Sequence, residues 1–332
     1  MVDRLLQHCH DIGAPTLTNI RRTSDSVLFD FDGNLEQLLP LRMFSTLSVV
    51  LDESEHAWID GFADALAELE QSTKSGAIGA LSGPPAYRVD RIEGREPFME
   101  TISTKLGWEN DPKAWDVNIA EHGPFLLADV GAMHRSRRYA KLRRIPASVN
   151  PLVGSLLVQL AKPEADDTVY DPFCGSGTLL TEVAAIGRGA GLLGTDISPT
   201  ALEVARLNLS AVDTPHLLAQ ARAETLPLPE HSVDRIISNM PFGKRVGSHH
   251  ANSRLYPRFL AELTRVLNPK GRAVLLTEDK RLFQQAVQET SGIRVIKEVQ
   301  VTSGGLHPTA YTIEHTQKSR RTDHHRKRLS EG

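Results

Sequence analysis

The stretch Asn239-Met240-Pro241-Phe242-Gly243 concentrates more usable chemistry than any other five residues of the chain. Asn239 offers a side-chain carbonyl and Met240 a backbone carbonyl, so two acceptors stand side by side. Pro241 restricts the backbone that aims them. Phe242 presents a ring for stacking, and Gly243 leaves room for close approach. Paired acceptors beside an aromatic face suit a flat group carrying an –NH2, such as the exocyclic amine of guanine or adenine. That nitrogen is a poor nucleophile because its lone pair is delocalised into the ring. A site that reacts it needs orientation far more than acid–base help, and a stacked base must first be taken out of its stack. Asn and Pro are also common in plain turns, so these residues alone leave a structural turn open.

A second constellation is Asp171-Pro172-Phe173-Cys174-Gly175-Ser176-Gly177-Thr178. An acidic residue ends an apolar run, two glycines follow, and helical spacing begins at Leu179. The glycines permit a tight turn and a ligand close to the backbone, and the helix start presents free N–H groups. The loop lacks the third glycine of a dinucleotide fingerprint and the lysine of a phosphate-gripping loop. A cofactor without phosphate fits it better. Asp196 follows roughly 20 residues on, where a carboxylate reaches ribose hydroxyls. Cys174 has no activating base near it in sequence and reads as a small loop-lining residue rather than a nucleophile.

These loops need a frame that puts them on one rim. In the C-terminal half, strand-like runs at 168–171, 191–197, 216–221, 233–238, 273–277, 295–301 and 310–314 alternate with helical spacing at 152–160, 179–186, 201–211, 259–267 and 283–289. The alternation predicts a mostly parallel sheet covered on both faces, with ligands beyond the carboxyl ends of its strands. Ser198-Pro199 marks a capped helix start, and Asn268-Pro269-Lys270-Gly271 marks a helix stop. The last two strands are expected to pair antiparallel. In the N-terminal half, strands at 18–22, 27–31, 45–51, 87–91, 115–119 and 125–130, with helices at 35–39 and 61–69, predict a separate α+β module.

The cofactor loop with Asp196 resembles motifs I and II of the class I S-adenosylmethionine methyltransferases. That resemblance implies that Asp171 and Gly175 to Gly177 lie along the methionine end of S-adenosyl-L-methionine, with Pro172, Phe173, Cys174, Ser176 and Thr178 in the same wall. It implies that Asp196 binds the ribose and that Ile197 packs beside the adenine. Arg222 stands where related enzymes carry an aspartate near the adenine amine. Beside Ala223, Glu224 either takes over that contact or the contact is missing. Asn239 to Phe242 resembles the Asn-Pro-Pro-Tyr/Phe motif of amino-methyltransferases, with Met240 in place of the first proline.

The longer stretch Asn239 to Ser248 and the cofactor loop are similar to the THUMP-domain tRNA guanine-N2 methyltransferases. More diffusely, so are Phe125 to Asp129 and Met133 to Tyr139. The resemblance implies a Rossmann-like class I methyltransferase domain at 144–318, preceded by an α+β THUMP-like RNA-binding region at 1–143 and followed by a basic tail at 319–332. It implies transfer to N2 of a guanosine in or near the acceptor stem of tRNA. The acceptor geometry serves adenine N6 as well. DNA or ribosomal RNA therefore stays open as substrate, as does a catalytically silent tRNA-binding scaffold.

Net charge is −3, with 38 Lys and Arg against 41 Asp and Glu. That excludes a protein that coats nucleic acid through global charge, but local patches suffice to hold a phosphate backbone. Arg135, Arg137, Arg138, Lys141, Arg143 and Arg144 form one such patch, and Lys318 to Arg328 carries another. Lys244 and Arg245 are candidates for substrate phosphates beside the chemistry loop. Cys9 and Cys174, the only two cysteines, build neither a disulfide framework nor a zinc cluster. His249-His250, His324-His325 and the Asp30-Phe31-Asp32-Gly33 turn lack partners at metal spacing, so no metal is expected. No apolar run approaches the roughly 20 residues of a membrane span, and no secretory signal is visible. The expected setting is cytoplasmic, with tRNA as partner and no membrane contact; the sequence leaves the oligomeric state open, a monomer being assumed.

Overall fold

The computed structural model describes residues 17–23, 26–33, 35–38, 42, 44–53, 61–76, 78, 85–90, 92–135, 139–242, 249–302 and 305–316. They fall into two units, Met1–Lys141 and Leu142–Gly332.

In the first unit, β1 (Thr18–Arg22) and β2 (Val27–Asp30) form an antiparallel pair, followed by a 3-10 turn at Leu35–Leu38. Then come β3 (Ser48–Asp52), α1 (Phe62–Lys74), β4 (Tyr87–Asp90), α2 (Glu96–Leu106), β5 (Val117–His122) and β6 (Phe125–Val130). The four-stranded sheet runs β3-β6-β5-β4, with β4 and β5 parallel and the other pairs antiparallel. Alternate residues Val117, Ile119, Leu126 and Ala128 meet Leu66 and Leu69 of α1 and Phe98 and Ile102 of α2 in one core. The unit is α+β, as expected. Helix α2 adds to the expected elements: Pro97 sits in its first turn and Gly107, at φ 67°, ends it.

The second unit contains α3 (Pro151–Ala161), β7 (Thr168–Asp171), α4 (Thr178–Ala185), β8 (Gly191–Asp196), α5 (Pro199–Leu209) and β9 (His216–Gln220). It continues with β10 (Val233–Asn239), α6 (His249–Val266), β11 (Leu267–Thr277), α7 (Lys280–Glu289), β12 (Ile293–Gln300) and β13 (Thr309–His315). Its sheet runs β12-β13-β11-β10-β7-β8-β9, parallel except for β13, which is antiparallel to both neighbours. This is the Rossmann-like α/β fold the sequence predicts. Successive strand residues face opposite sides. Tyr170, Ile236, Ala273 and Leu275 join the core under α6 and α7, while Val169, Ile237, Val274 and Leu276 join the core under α3, α4 and α5. Burial on both faces is why these strands are continuous apolar runs rather than alternating ones.

Helix caps follow the sequence closely. Asn150 Oδ1 accepts from the Leu152 amide at 3.0 Å, and Ser198 Oγ accepts from the Ala201 amide at 3.3 Å. Two boundaries near the chemistry loop differ most from expectation. Helix α6 begins at His249, ten residues before Phe259. The Asn268 to Gly271 segment is not a stop loop but the start of β11, accommodated by a register shift between Val233 and Arg235 of β10.

Candidate active site

Strand order reverses between β7 and β10: from β7 the chain moves one way to β8 and β9, and from β10 the other way to β11. A crevice opens at the carboxyl ends of strands at such a point. The loop after β7 holds the two glycines and the loop after β10 holds Asn239 to Phe242. Both line one cavity of about 470 Å³.

The first wall is tightly determined. Gly175 and Gly177 have φ of 51° and 75°, in the region that favours glycine. A Cβ on Gly177 would also come within 3.3 Å of Ala205 on α5. The Gly175 amide donates to Asp196 Oδ2 at 2.9 Å, and the Ser198 amide donates to Asp196 Oδ1 at 2.9 Å. The Cys174 amide donates to the Thr195 carbonyl at 2.9 Å, and Asn208 Nδ2 donates to the Ser176 carbonyl at 2.7 Å. Each Asp196 oxygen keeps a further lone pair for a ligand hydroxyl. Ile197, the next residue, is 57% exposed at the cavity's edge.

Asp171 is the electrostatic centre of this wall. Its Oδ1 accepts from the Ser238 hydroxyl at 2.7 Å and the Phe173 amide at 3.1 Å. Its Oδ2 is buried and has no partner among the described residues. Burial pushes the carboxyl up to about 7, against the pull of those two donors. An orphan oxygen on a reluctant carboxylate calls for a donor, preferably cationic, from outside the chain. Cys174 goes the other way from reactivity: burial, then the nearby Asp171 and Asp196, push its thiol far above its ordinary value. That removes the thiolate a nucleophile would need.

The second wall is held from further away in sequence. Asn239 Nδ2 donates to the Ala147 carbonyl at 3.4 Å, which turns Oδ1 into the free end of the amide. The Met240 amide donates to the Leu276 carbonyl at 3.0 Å. The Tyr256 hydroxyl donates to the Pro241 carbonyl at 2.7 Å and lies 2.8 Å from Thr277 Oγ1. Phe242 lines the cavity half-exposed. Tyr256, Thr277, Ser238 and Ala147 were absent from the sequence reading of the site.

Ala223 and Glu224 line the same cavity as Asp196, and Arg222 pairs with Glu224 at 3.0 Å. The basic residues fare differently. Arg135 and Lys141 are exposed, belong to the first unit and are not part of the cavity wall. Arg137, Arg138, Lys244 and Arg245, with the whole tail from residue 317, lie outside the described residues.

A family model described as UPF0020, RMKL-like methyltransferase domain, matches residues 137–309, which span both walls of the cavity. The chain belongs to this methyltransferase family. A tRNA (guanine(6)-N2)-methyltransferase of Archaeoglobus fulgidus is 30% identical over 305 residues, covering 80% of this chain and 77% of the relative. The mouse tRNA (guanine(6)-N(2))-methyltransferase THUMP3 is 29% identical over 242 residues. That alignment covers 68% of this chain but 48% of the mouse protein, so the chain spans about half the length of the mammalian relatives it matches. Among solved structures, TrmN from Thermus thermophilus superposes with a TM-score of 0.67 at 24% identity, over 95% of this chain and 97% of its own. At that identity the likeness speaks for the RMKL-like fold alone. No helix among the described residues is long and apolar enough to cross a membrane.

Proposed function

We propose that this chain transfers a methyl group from S-adenosyl-L-methionine to the exocyclic N2 of a guanosine in tRNA, in or near the acceptor stem. The observation that carries the proposal is the meeting of two unlike walls around one cavity at the switch point. One has an orphan carboxylate oxygen and a ribose-ready carboxylate; the other has a free amide oxygen beside an aromatic ring. The relatives' names support tRNA and guanine N2.

The residues present fit the cofactor. Asp171 Oδ2, buried and unpartnered, is placed for an ammonium, whose charge would bring the carboxyl back to its ionised form. Asp196 would take the ribose hydroxyls, Ile197 the adenine face, and Glu224 with Ala223 the far edge of the ring. When bound, the cofactor supplies an electrophilic methyl on a sulfonium. The chain supplies position. Asn239 Oδ1 and the Met240 carbonyl would accept the two amino hydrogens, and Phe242 would stack on the base. The Tyr256 bond to the Pro241 carbonyl keeps that geometry fixed. Holding nitrogen and methyl in line is worth several orders of magnitude, and the proton that N2 gives up on methylation would pass from the side of the Asn239 and Met240 acceptors to solvent.

In this reading, residues 1–143 are a THUMP-like RNA-gripping region, 144–318 the catalytic domain and 319–332 a basic extension. Arg135, Arg137, Arg138, Lys141, Lys244 and Arg245 would contact the RNA backbone. The deciding experiment follows labelled methyl from S-adenosylmethionine into unmodified tRNA, ribosomal RNA and duplex DNA, with nucleoside analysis of the product. N2-methylguanosine in tRNA alone is the expected result. Methyladenine, or product only in another nucleic acid, would overturn the substrate while leaving the chemistry. Absence of transfer despite cofactor binding would point to a silent scaffold.

A further inference from the structure

Asn252, in the first turns of α6, is 1% exposed, and both its Nδ2 and its Oδ1 are buried without a hydrogen-bond partner among the described residues. Leaving one buried polar atom unpaired costs roughly 1–3 kcal/mol, so two on one side chain mark a group kept for a partner that arrives from outside. The same residue lines the cavity together with Asn239, Met240, Pro241 and Phe242. Its helical neighbours at i+3 and i+4 are Leu255, which also lines the cavity, and Tyr256, which bonds the Pro241 carbonyl. The face of α6 that carries Asn252 is therefore the face turned to the chemistry loop.

We propose that Asn252 is a specificity-determining residue that reads the edge of the target base next to the reacting amine, accepting from N1–H and donating to O6 of guanine. This rests on the guanine-N2 reading above. A carboxamide presents one acceptor and one donor side by side. In guanine the polar row is N2 amine, N1–H donor, O6 acceptor. With the amine hydrogens held by Asn239 and Met240, the next two groups in the row are the complement of a carboxamide. In adenine, with its N6 amine in the same place, N1 is an acceptor and the following position is a bare C2–H. The amide is then left with one unmet group. Asn239 and Met240 accept an amine from either base; Asn252 is what tells the two apart.

The test uses a tRNA transcript with guanosine 6, the position in the relatives' names, and the same RNA with 2-aminopurine there. 2-Aminopurine keeps the reacting amine but has an unprotonated N1 and no O6. The wild-type protein should prefer guanine by about 10- to 100-fold in kcat/KM, the size of one bidentate amide contact. Asn252→Ala should collapse that preference to within about threefold while S-adenosylhomocysteine still binds with its wild-type affinity. Asn252→Leu, which keeps the shape and removes both polar atoms, should behave the same way and guards against a packing effect of the smaller side chain. Equal losses on both RNAs, or an unchanged preference in both variants, would overturn the role of Asn252 while leaving guanine-N2 transfer intact. If the wild-type product is methyladenine or nothing, the functional reading itself falls and takes this proposal with it.

Discussion

The loop after β7 and the loop after β10 leave neighbouring strands of one sheet, yet the first is bonded to its own surroundings at nearly every residue and the second is not. Gly175, Cys174 and Ser176 are each tied to β8 or α5, and Asp196 holds two backbone amides at once. One oxygen, Asp171 Oδ2, is left over. Among the described residues, the Asn239 to Phe242 wall is held by bonds to Ala147, Leu276 and Tyr256, and the amide of Asn252 beside it has no hydrogen-bond partner. On the proposed reading, the cofactor half is built before its ligand arrives, with one carboxylate oxygen left without a partner among the described residues, and the base half is completed by its substrate. A site that must accept a flipped nucleotide gains from that division, because unmet polar groups penalise every base that cannot satisfy them.

The widest separation between the halves should come from Asn239→Ala. The substitution removes the acceptor proposed to hold the amine, and among the described residues that side chain bonds Ala147 rather than the Asp171 loop. Methyl transfer should fall by about 100-fold or more, the scale of a lost positioning contact, while titration shows cofactor affinity within about twofold of wild type. A parallel loss of cofactor binding would mean that the two walls are one cooperative unit, and the comparison would fail.

Asp171→Asn should do the opposite, and it carries a pH signature. The folded carboxyl sits near 7, above its unfolded value, so the folded chain holds that proton more tightly. The group costs nothing below about pH 4, where both states are protonated. Its cost grows as pH rises and levels off above about 7. The amide removes that cost, although its Nδ2 is as partnerless among the described residues as the oxygen it replaces, so the variant should be more stable than wild type by on the order of 2 kcal/mol at pH 8, with the gain vanishing toward pH 4. Cofactor affinity should drop by about tenfold or more, because the ammonium loses its counter-charge. Denaturant unfolding at several pH values, with a binding titration, checks both. A variant less stable at pH 8 would show that the carboxylate is not strained.

The two halves were also unequally legible in the sequence. Glycines, the flanking aspartates, the Ser198 cap and the apolar strands are local signals, and they point to residues that the structure brings together along one wall of the cavity. Asn239 to Phe242 was visible for the same reason. Its supports were not. Tyr256 and Asn252 belong to a stretch of α6 whose first turns, His249 to Arg254, are polar and show no apolar stripe, and Pro257 reads as a helix stop although it lies inside the helix. The helix was therefore expected to begin only at Phe259, and with its start went the face that meets the chemistry loop. Asn268 to Gly271 misled in the same way. Proline and glycine usually end an element, but a register shift in the β10–β11 pair lets them open a strand. Helix α2 does carry a local signal, since Phe98, Ile102 and Leu106 recur four apart between Pro97 and Gly107.

Tyr256→Phe tests one of those supports on its own. The ring stays in the core against Phe283, and the hydroxyl's bond to the Pro241 carbonyl is lost. The loss should destabilise the chain by about 1 kcal/mol. A loosened chemistry loop should also lower kcat about tenfold with little change in KM for RNA and none in cofactor affinity. An unchanged kcat would mean that Pro241 and the Met240 bond hold the loop without Tyr256.

The smallest effect is expected at the one corner where the cofactor wall is not closed by the backbone. Arg222 is 64% exposed and pairs with Glu224, itself 20% exposed. Such an exposed pair contributes at most about 1 kcal/mol, so Arg222→Ala should shift cofactor affinity by less than about threefold. Glu224 lines the cavity and pairs with Arg222 through one carboxylate oxygen, and a bond from the other oxygen to the adenine amine would be charge-assisted. Glu224→Ala should then weaken binding about tenfold, and Arg222→Ala, by releasing the carboxylate from its partner, should leave affinity equal or slightly better. If both substitutions are silent, the adenine amine has no protein partner here. The prebuilt half then ends at Asp196 and Ile197, and the contrast between the two walls is narrower than the bonding of the first loop implies.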